Sequence, residues 1–421
     1  MRRVVVTGLG LISPLGSDHG EVWQSILRGD SAVQKLSHLR AEKFNTQYGY
    51  PIGSYDPKTY IKSVKKLRMM SRGDSMCYAA SMLAMEDAGL AKGSIAGQRF
   101  GLYVGGSKEV DTPPDDMVEA IAEPSVQSIS DFVMKIKDNV HPLFFVKGLP
   151  ASSMFYISEE LDLRGANCYY MGTANVSAVA IGNAARAVAM GEADAALAGG
   201  FADPLTWWNY LKVDGMGVLN REDGEGQRYY RPFDKQRKGA LLGEGSTMLV
   251  VEELEHALVR GARIYGEIVG YGNGMDCDNI VKPSEEGIGL QTAMKKALSH
   301  SNLSADEINY VCAHGSATKT GDESEARAIA SIFTAGTTAV SSIKPTVGHQ
   351  FSNAGAFNAY ASLMAIQSGK LPHTLHLSSA NPAWKVDFIV EQPRDTSVNA
   401  VMSLARGLNG ENTALIFKAL V

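Results

Sequence analysis

Long apolar runs are missing from this 421-residue sequence. Nothing in it reaches the ~18 uninterrupted apolar residues of a membrane-spanning helix. The apolar patch at the N-terminus, MRRVVVTGLGLISPLG, is broken by Gly8, Gly10, Pro14 and Gly16 too early for a signal segment. No membrane partner is expected. Paired cysteines are missing as well. Cys77, Cys168, Cys277 and Cys312 are scattered without a CxxC, which argues against a zinc ribbon or disulfide framework and for reduced thiols in a cytoplasmic protein. Charge of one sign is scarce: 40 basic residues stand against 45 acidic ones, a net of −5, so no nucleic-acid partner is indicated. HxxxH and HxxE spacings are absent, so no metal is expected. The glycine pairs Gly105-Gly106 and Gly199-Gly200 do not extend to GxGxxG, which removes a dinucleotide cofactor.

What is there is an alternation of short β-branched runs with longer helical patterns, the signature of α/β layers. Helices are expected over Glu21–Leu27, Arg72–Ala88, Ala151–Leu161, Val176–Met190, Gly287–Ser301, Glu323–Phe333 and Asn353–Gln367. Strands are expected over Arg3–Thr7, Phe100–Val104, Cys168–Met171, Ala195–Ala198, Met248–Val251, Tyr265–Val269, Ile308–Cys312, Ala339–Ser341 and Ala414–Phe417. The second half echoes the first. SMLAMEDAGLAKGSIAGQRFGLYVGG is matched by AMKKALSHSNLSADEINYVCAHG, and each half later carries a helix of small residues, VSAVAIGNAARAVAM and NAGAFNAYASLMAIQ. A helix with small residues all round is buried on every side. Two of them predict a duplicated five-layered α-β-α-β-α core, with halves 1–255 and 256–421.

Candidate chemistry gathers at three points. The segment CYYMGTANVSAVAIG runs from a strand through a sharp turn into a buried helix, and a nucleophile belongs at such an elbow. The residue there is Asn175, whose amide is no nucleophile; the plain alternative is that it caps the helix. His314 follows a strand and His349 precedes the second small-residue helix. Neutral imidazoles at such ends can donate to a developing oxyanion, although a lone loop histidine is more often structural. Lys344 stands five residues before His349 and can tune that site. A basic run, Lys65, Lys66 and Arg68, can receive an acidic protein or serve only as a solvated face.

Nearly end to end, the chain resembles the elongating β-ketoacyl-acyl-carrier-protein synthases of the thiolase superfamily. VVVTGLGLISPLG, RPFDKQRKGALLGEGSTMLVVEELEHALVRGARIYGEIVGYG, AHGSATKTGDESEA and SSIKPTVGHQFSNAGA carry the likeness. It implies the thiolase-like fold, dimers with sites near the interface, and acyl groups delivered on the phosphopantetheine of an acyl carrier protein, with Lys65, Lys66 and Arg68 as its docking patch. It makes His314, Lys344 and His349 the counterparts of the family's His, Lys and His. Three positions depart. The family's T-A-C elbow reads Thr173-Ala174-Asn175. The acidic partner of the lysine is Asn358. The F-G-F-G-G gate reads Ala405-Arg406-Gly407-Leu408-Asn409-Gly410, which puts Arg406 and Leu408 at the gate.

The Ala405–Gly407 stretch is similar to the tail of chain length factors, the cysteine-less partners of type II polyketide ketosynthases. That likeness implies a non-condensing subunit. It would heterodimerise with a catalytic ketosynthase and shape the tunnel for an aromatic or polyene product, with Lys108, Met117, Phe132, Phe144 and Phe145 at tunnel and interface. Two alternatives remain: a malonyl-carrier-protein decarboxylase, and a Cys-to-Asn variant of a condensing enzyme.

Overall fold

The computed structural model describes residues 1–37, 44–107, 125–139, 143–222, 224–334 and 336–420. Eleven strands form one mixed sheet: β1 (Val4–Ile12), β2 (Phe100–Gly106), β3 (Asn167–Met171), β4 (Ala195–Ala202), β5 (Gly245–Glu253), β6 (Gly266–Met275), β7 (Tyr310–Cys312), β8 (Ala339–Ser341), β9 (Asp387–Phe388), β10 (Ala400–Arg406) and β11 (Glu411–Lys418). Their spatial order is β9-β8-β7-β10-β11-β6-β1-β5-β4-β2-β3. Read outward from the antiparallel β1–β6 pairing, the two halves repeat one order: β1-β5-β4-β2-β3 on one side, β6-β11-β10-β7-β8 on the other, with β9 added at that edge.

The helices that matter here are α1 (His19–Arg28), α2 (Arg72–Asp87), α3 (Ser152–Leu161), α4 (Val176–Ala189), α5 (Trp207–Gly215), α6 (Ile288–Ser301), α7 (Lys319–Ile332) and α8 (Ala354–Ser368). Helices α2 and α3 cover the outside of the first half-sheet, and α6 and α7 cover the second. The small-residue helices α4 and α8 pack on each other between the two half-sheets. Every residue of α8 from Ala354 to Ala365 is buried, which explains why no polar face interrupts its sequence. The expected five layers are present.

The first strand runs past Thr7 to Ile12, because its glycines serve packing rather than a turn. A Cβ on Gly8 would stand 2.3 Å from Ala84 O, and one on Gly10 would stand 2.0 Å from Ala80 O. Both let the α2 backbone lie directly on β1. Among the elements not anticipated in the sequence are β10, α5 and a helix over Ile129–Asn139. Among the described residues no helix is long and apolar enough to cross a membrane.

Candidate active site

Strand β3 delivers the chain to Gly172, and α4 begins at Val176. Between them Asn175 is helical rather than extended (φ −91°, ψ −19°), and its side chain makes no capping hydrogen bond. The plain capping role therefore fails. The residue is 5 % exposed, and its Oδ1 is buried without a partner.

His314 and His349 converge on this elbow from the other half. Their rings meet edge to face with centroids 5.2 Å apart. His314 sits just beyond β7; its N–H donates to Glu325 Oε1 (2.7 Å), and its ring Nδ1 faces the Arg406 N–H (3.4 Å). His349 is fixed by N–H donation to Leu241 O (2.7 Å), by Gly243 N–H donating to its carbonyl (3.1 Å), and by Phe351 N–H donating to its Nδ1 (3.2 Å). With both Nδ1 atoms accepting, the ring protons lie on Nε2. Burial holds both imidazoles neutral, and the Lys344 ammonium adds to the effect. His349 is pulled down to about 3 and His314 well below the usual histidine range. Two neutral Nε2–H donors side by side are suited to an oxyanion or enolate.

Lys344 is buried, and its ammonium donates to the His314 carbonyl. Burial lowers it to about 8, while the Glu325 carboxylate pulls the other way. Asn358 does not face it as an acid would; its Nδ2 donates to Ala313 O (3.2 Å) and Leu404 O (3.0 Å), tying β7 to β10. Glu325 was missed in the sequence. It accepts from the N–H groups of His314 and Gly315 (2.7 and 2.8 Å) and so sets the histidine loop. The signal was its place in GDESEA, on the inner face of α7.

Both expected gate residues border the opening. Arg406 is held in place there rather than free to swing. It is buried, and its guanidinium donates to Asn412 Oδ1 (2.9 Å), Gly321 O (3.1 Å), Ser324 Oγ (3.1 Å) and Asp276 Oδ2 (3.2 Å). Leu408 borders it too, and its N–H donates to Thr173 Oγ1 (2.9 Å), pinning the β10–β11 turn to the elbow. The pocket, partly open to solvent, has about 850 Å³ of empty space and is walled by Thr173, Ala174, His314, His349, Phe351 and Leu408 among others. No cysteine lines it. Cys77 and Cys312 are buried, burial pushes the Cys312 thiol up to about 11, and Cys277 is on the surface.

Of the other expected residues, those the structure describes do not line this pocket. Lys108 and Met117 lie outside the described residues, as do the side chains of Phe144 and Phe145. Phe132 is half-buried on the Ile129–Asn139 helix. The basic patch is weaker than its sequence: Lys66 is paired with Glu160 (2.7 Å) and Glu159 (3.1 Å), which leaves Lys65 and Arg68 exposed beside two carboxylates. Among the described residues no three His, Cys, Asp or Glu side chains group as a metal site.

Residues 1–257 match the model for "Beta-ketoacyl synthase, N-terminal domain" and residues 265–378 that for "Beta-ketoacyl synthase, C-terminal domain". The chain belongs to the β-ketoacyl synthase family. It is 32 % identical to the 3-oxoacyl-[acyl-carrier-protein] synthase 2 of Coxiella burnetii, over 99 % of this chain and 98 % of that protein. A crystal structure of a β-ketoacyl synthase from Burkholderia phymatum superposes with a TM-score of 0.89 at 31 % identity, covering 100 % of both chains. The structure described as the ishigamide ketosynthase/chain length factor superposes with a TM-score of 0.90 at 26 % identity, again covering 100 % of both. The fold is thus the thiolase-like ketosynthase fold, shared with a 3-oxoacyl-[acyl-carrier-protein] synthase 2 and with a ketosynthase/chain length factor.

Proposed function

We propose that this chain is a non-condensing ketosynthase-like subunit. In the manner of a chain length factor, it partners a cysteine-bearing ketosynthase and bounds the pocket for an acyl chain carried on an acyl carrier protein. One observation carries the reading: the elbow holds Asn175, and no thiol lines the pocket behind it. Condensation by this fold needs a nucleophile to take the acyl group from its thioester, and an amide nitrogen whose lone pair is delocalised cannot do so. The pinned turn at Leu408 and the committed Arg406 guanidinium support a wall rather than a swinging gate. The test is co-expression with a cysteine-bearing ketosynthase from the same gene neighbourhood. A one-to-one complex, with condensation dependent on the partner's cysteine alone, is expected. A stable homodimer that excludes the partner overturns the reading.

A second reading is favoured by the tautomers of the histidine pair. Decarboxylation of a malonyl thioester breaks the C–C bond to the carboxylate, releases carbon dioxide and moves the electron pair onto the thioester oxygen as an enolate. The Nε2–H groups of His314 and His349 would hold that oxygen, and a proton from water at the carbon completes an acetyl thioester. No nucleophile is required. Incubation with malonyl-carrier protein is expected to give acetyl-carrier protein by mass spectrometry, and to give none in the His314→Ala/His349→Ala double variant. Equal turnover by the double variant, or none by the parent, removes this reading.

A further inference from the structure

The elbow amide has an unassigned neighbour. Glu411 opens β11 directly after the turn at residues 407–410, and its Oε2 is buried without a hydrogen-bond partner. A methyl group added at Gly407 would stand 2.4 Å from Glu411 Oε2, 2.8 Å from Asn175 Oδ1 and 3.2 Å from Thr173 Oγ1. All three oxygens therefore border the space that a side chain at Gly407 would fill. Thr173 Oγ1 accepts from Leu408 N–H, whereas the other two are both orphaned. Two buried acceptors beside the same glycine, each without a donor, are costly, and a proton shared by them would remove the cost.

The charged groups on the adjoining segments do not supply that proton. Arg406, on β10, is directed at Asp276, just beyond β6, and the two pair at 3.2 Å. Among the described residues no ion pair involves Glu411. Burial alone raises its carboxyl above the usual range, in keeping with a neutral acid.

We infer that Glu411 is a positioning residue for the elbow. Its carboxylic acid donates to Asn175 Oδ1 and so turns the Nδ2–H end of the amide toward the pocket, as a third donor beside His314 and His349 for an acyl-thioester oxygen. Loss of the proton would reverse the amide: Nδ2–H would turn to the carboxylate and Oδ1 to the pocket. The role as a thioester donor rests on the decarboxylase reading; the state of the Glu411–Asn175 pair does not.

Two measurements separate them. The first is thermal stability of the parent and Glu411→Gln between pH 4.5 and 9. A carboxyl raised in the folded state stabilises fully below its unfolded pKa, and that stability is lost as pH rises through the folded value. The parent's Tm relative to Glu411→Gln is therefore expected to fall across this range. A constant difference means an ionised carboxylate and overturns the proposal, whatever the activity. The second is turnover of malonyl-pantetheine. Glu411→Gln, which can still donate to Asn175 Oδ1, is expected to keep kcat within a few-fold, while Glu411→Leu loses at least about tenfold in kcat with little change in KM, the share of one lost oxyanion donor or less. Equal loss in both variants overturns the positioning role. Absence of turnover in the parent removes the decarboxylase reading and with it the donor role, leaving the first measurement to decide the pair.

Discussion

At the scale of single residues, the site is defined by groups kept neutral or half-neutral by burial. His349 and His314 are uncharged because water is excluded and Lys344 lies close. That has a measurable consequence with a fixed sign. Below about pH 6.5 the unfolded chain binds protons on these histidines, while the folded chain refuses one at His349 until about pH 3. Stability is therefore full above the unfolded pKa and falls as pH drops, by up to about 1.4 kcal/mol per pH unit for each such histidine. From pH 7.5 to pH 5 that amounts to about 2 kcal/mol per ring. Urea unfolding of the parent is expected to lose more over this interval than that of His349→Gln. An equal loss would mean that the ring is already protonated in the fold. Lys344 acts in the opposite window, adding stability as pH climbs from about 8 toward its ordinary value.

At the scale of elements, the β10–β11 hairpin is what the sequence disclosed least. The duplicated helices, the elbow and the His-Lys-His set were legible because each rests on local signals: small residues all round α4 and α8, and motifs fixed by near neighbours in sequence. The hairpin is legible only after folding. Leu408 reaches Thr173 across 235 positions and Arg406 reaches Asp276 across 130, and no periodicity encodes a return of that length. For the same reason the sequence shows Arg406 at the gate and Lys66 in a basic run, but not the Asp276 and Glu160 that hold them. The buried Arg406–Asp276 pair can be tested as a unit. Removing one partner of such a pair strands the other charge, at about 3–5 kcal/mol. Arg406→Met is expected to cost that much in urea unfolding, and Arg406→Met/Asp276→Asn to recover most of it. A double variant as unstable as the single one would assign the loss to packing of the arginine stem instead.

At the scale of the whole molecule, the sheet ends on one side at β3, which pairs only with β2 among the described residues. A five-residue strand with Asn167 and Met171 exposed and its middle residues half-buried offers a free edge to another chain, and nothing such as a lysine or a proline blunts it. Elsewhere Ile129, Val133 and Met134 stand exposed on one helix and Phe155 on α3. This edge leads within four residues to Asn175, so whatever pairs with β3 borders the elbow as well. If the chain completes a ketosynthase dimer, strand addition here is the economical geometry. Charging the edge tests it without touching the core: Asn167→Lys/Met171→Lys is expected to convert the assembly to monomers in mass photometry. The Tm should stay within a few degrees of the parent monomer, since exposed substitutions cost about 0.5 kcal/mol or less. The same variant should fail to co-purify with the cysteine-bearing partner. Retention of the complex would place the interface elsewhere, on the exposed helix face, and would separate the pocket of this subunit from that of its neighbour.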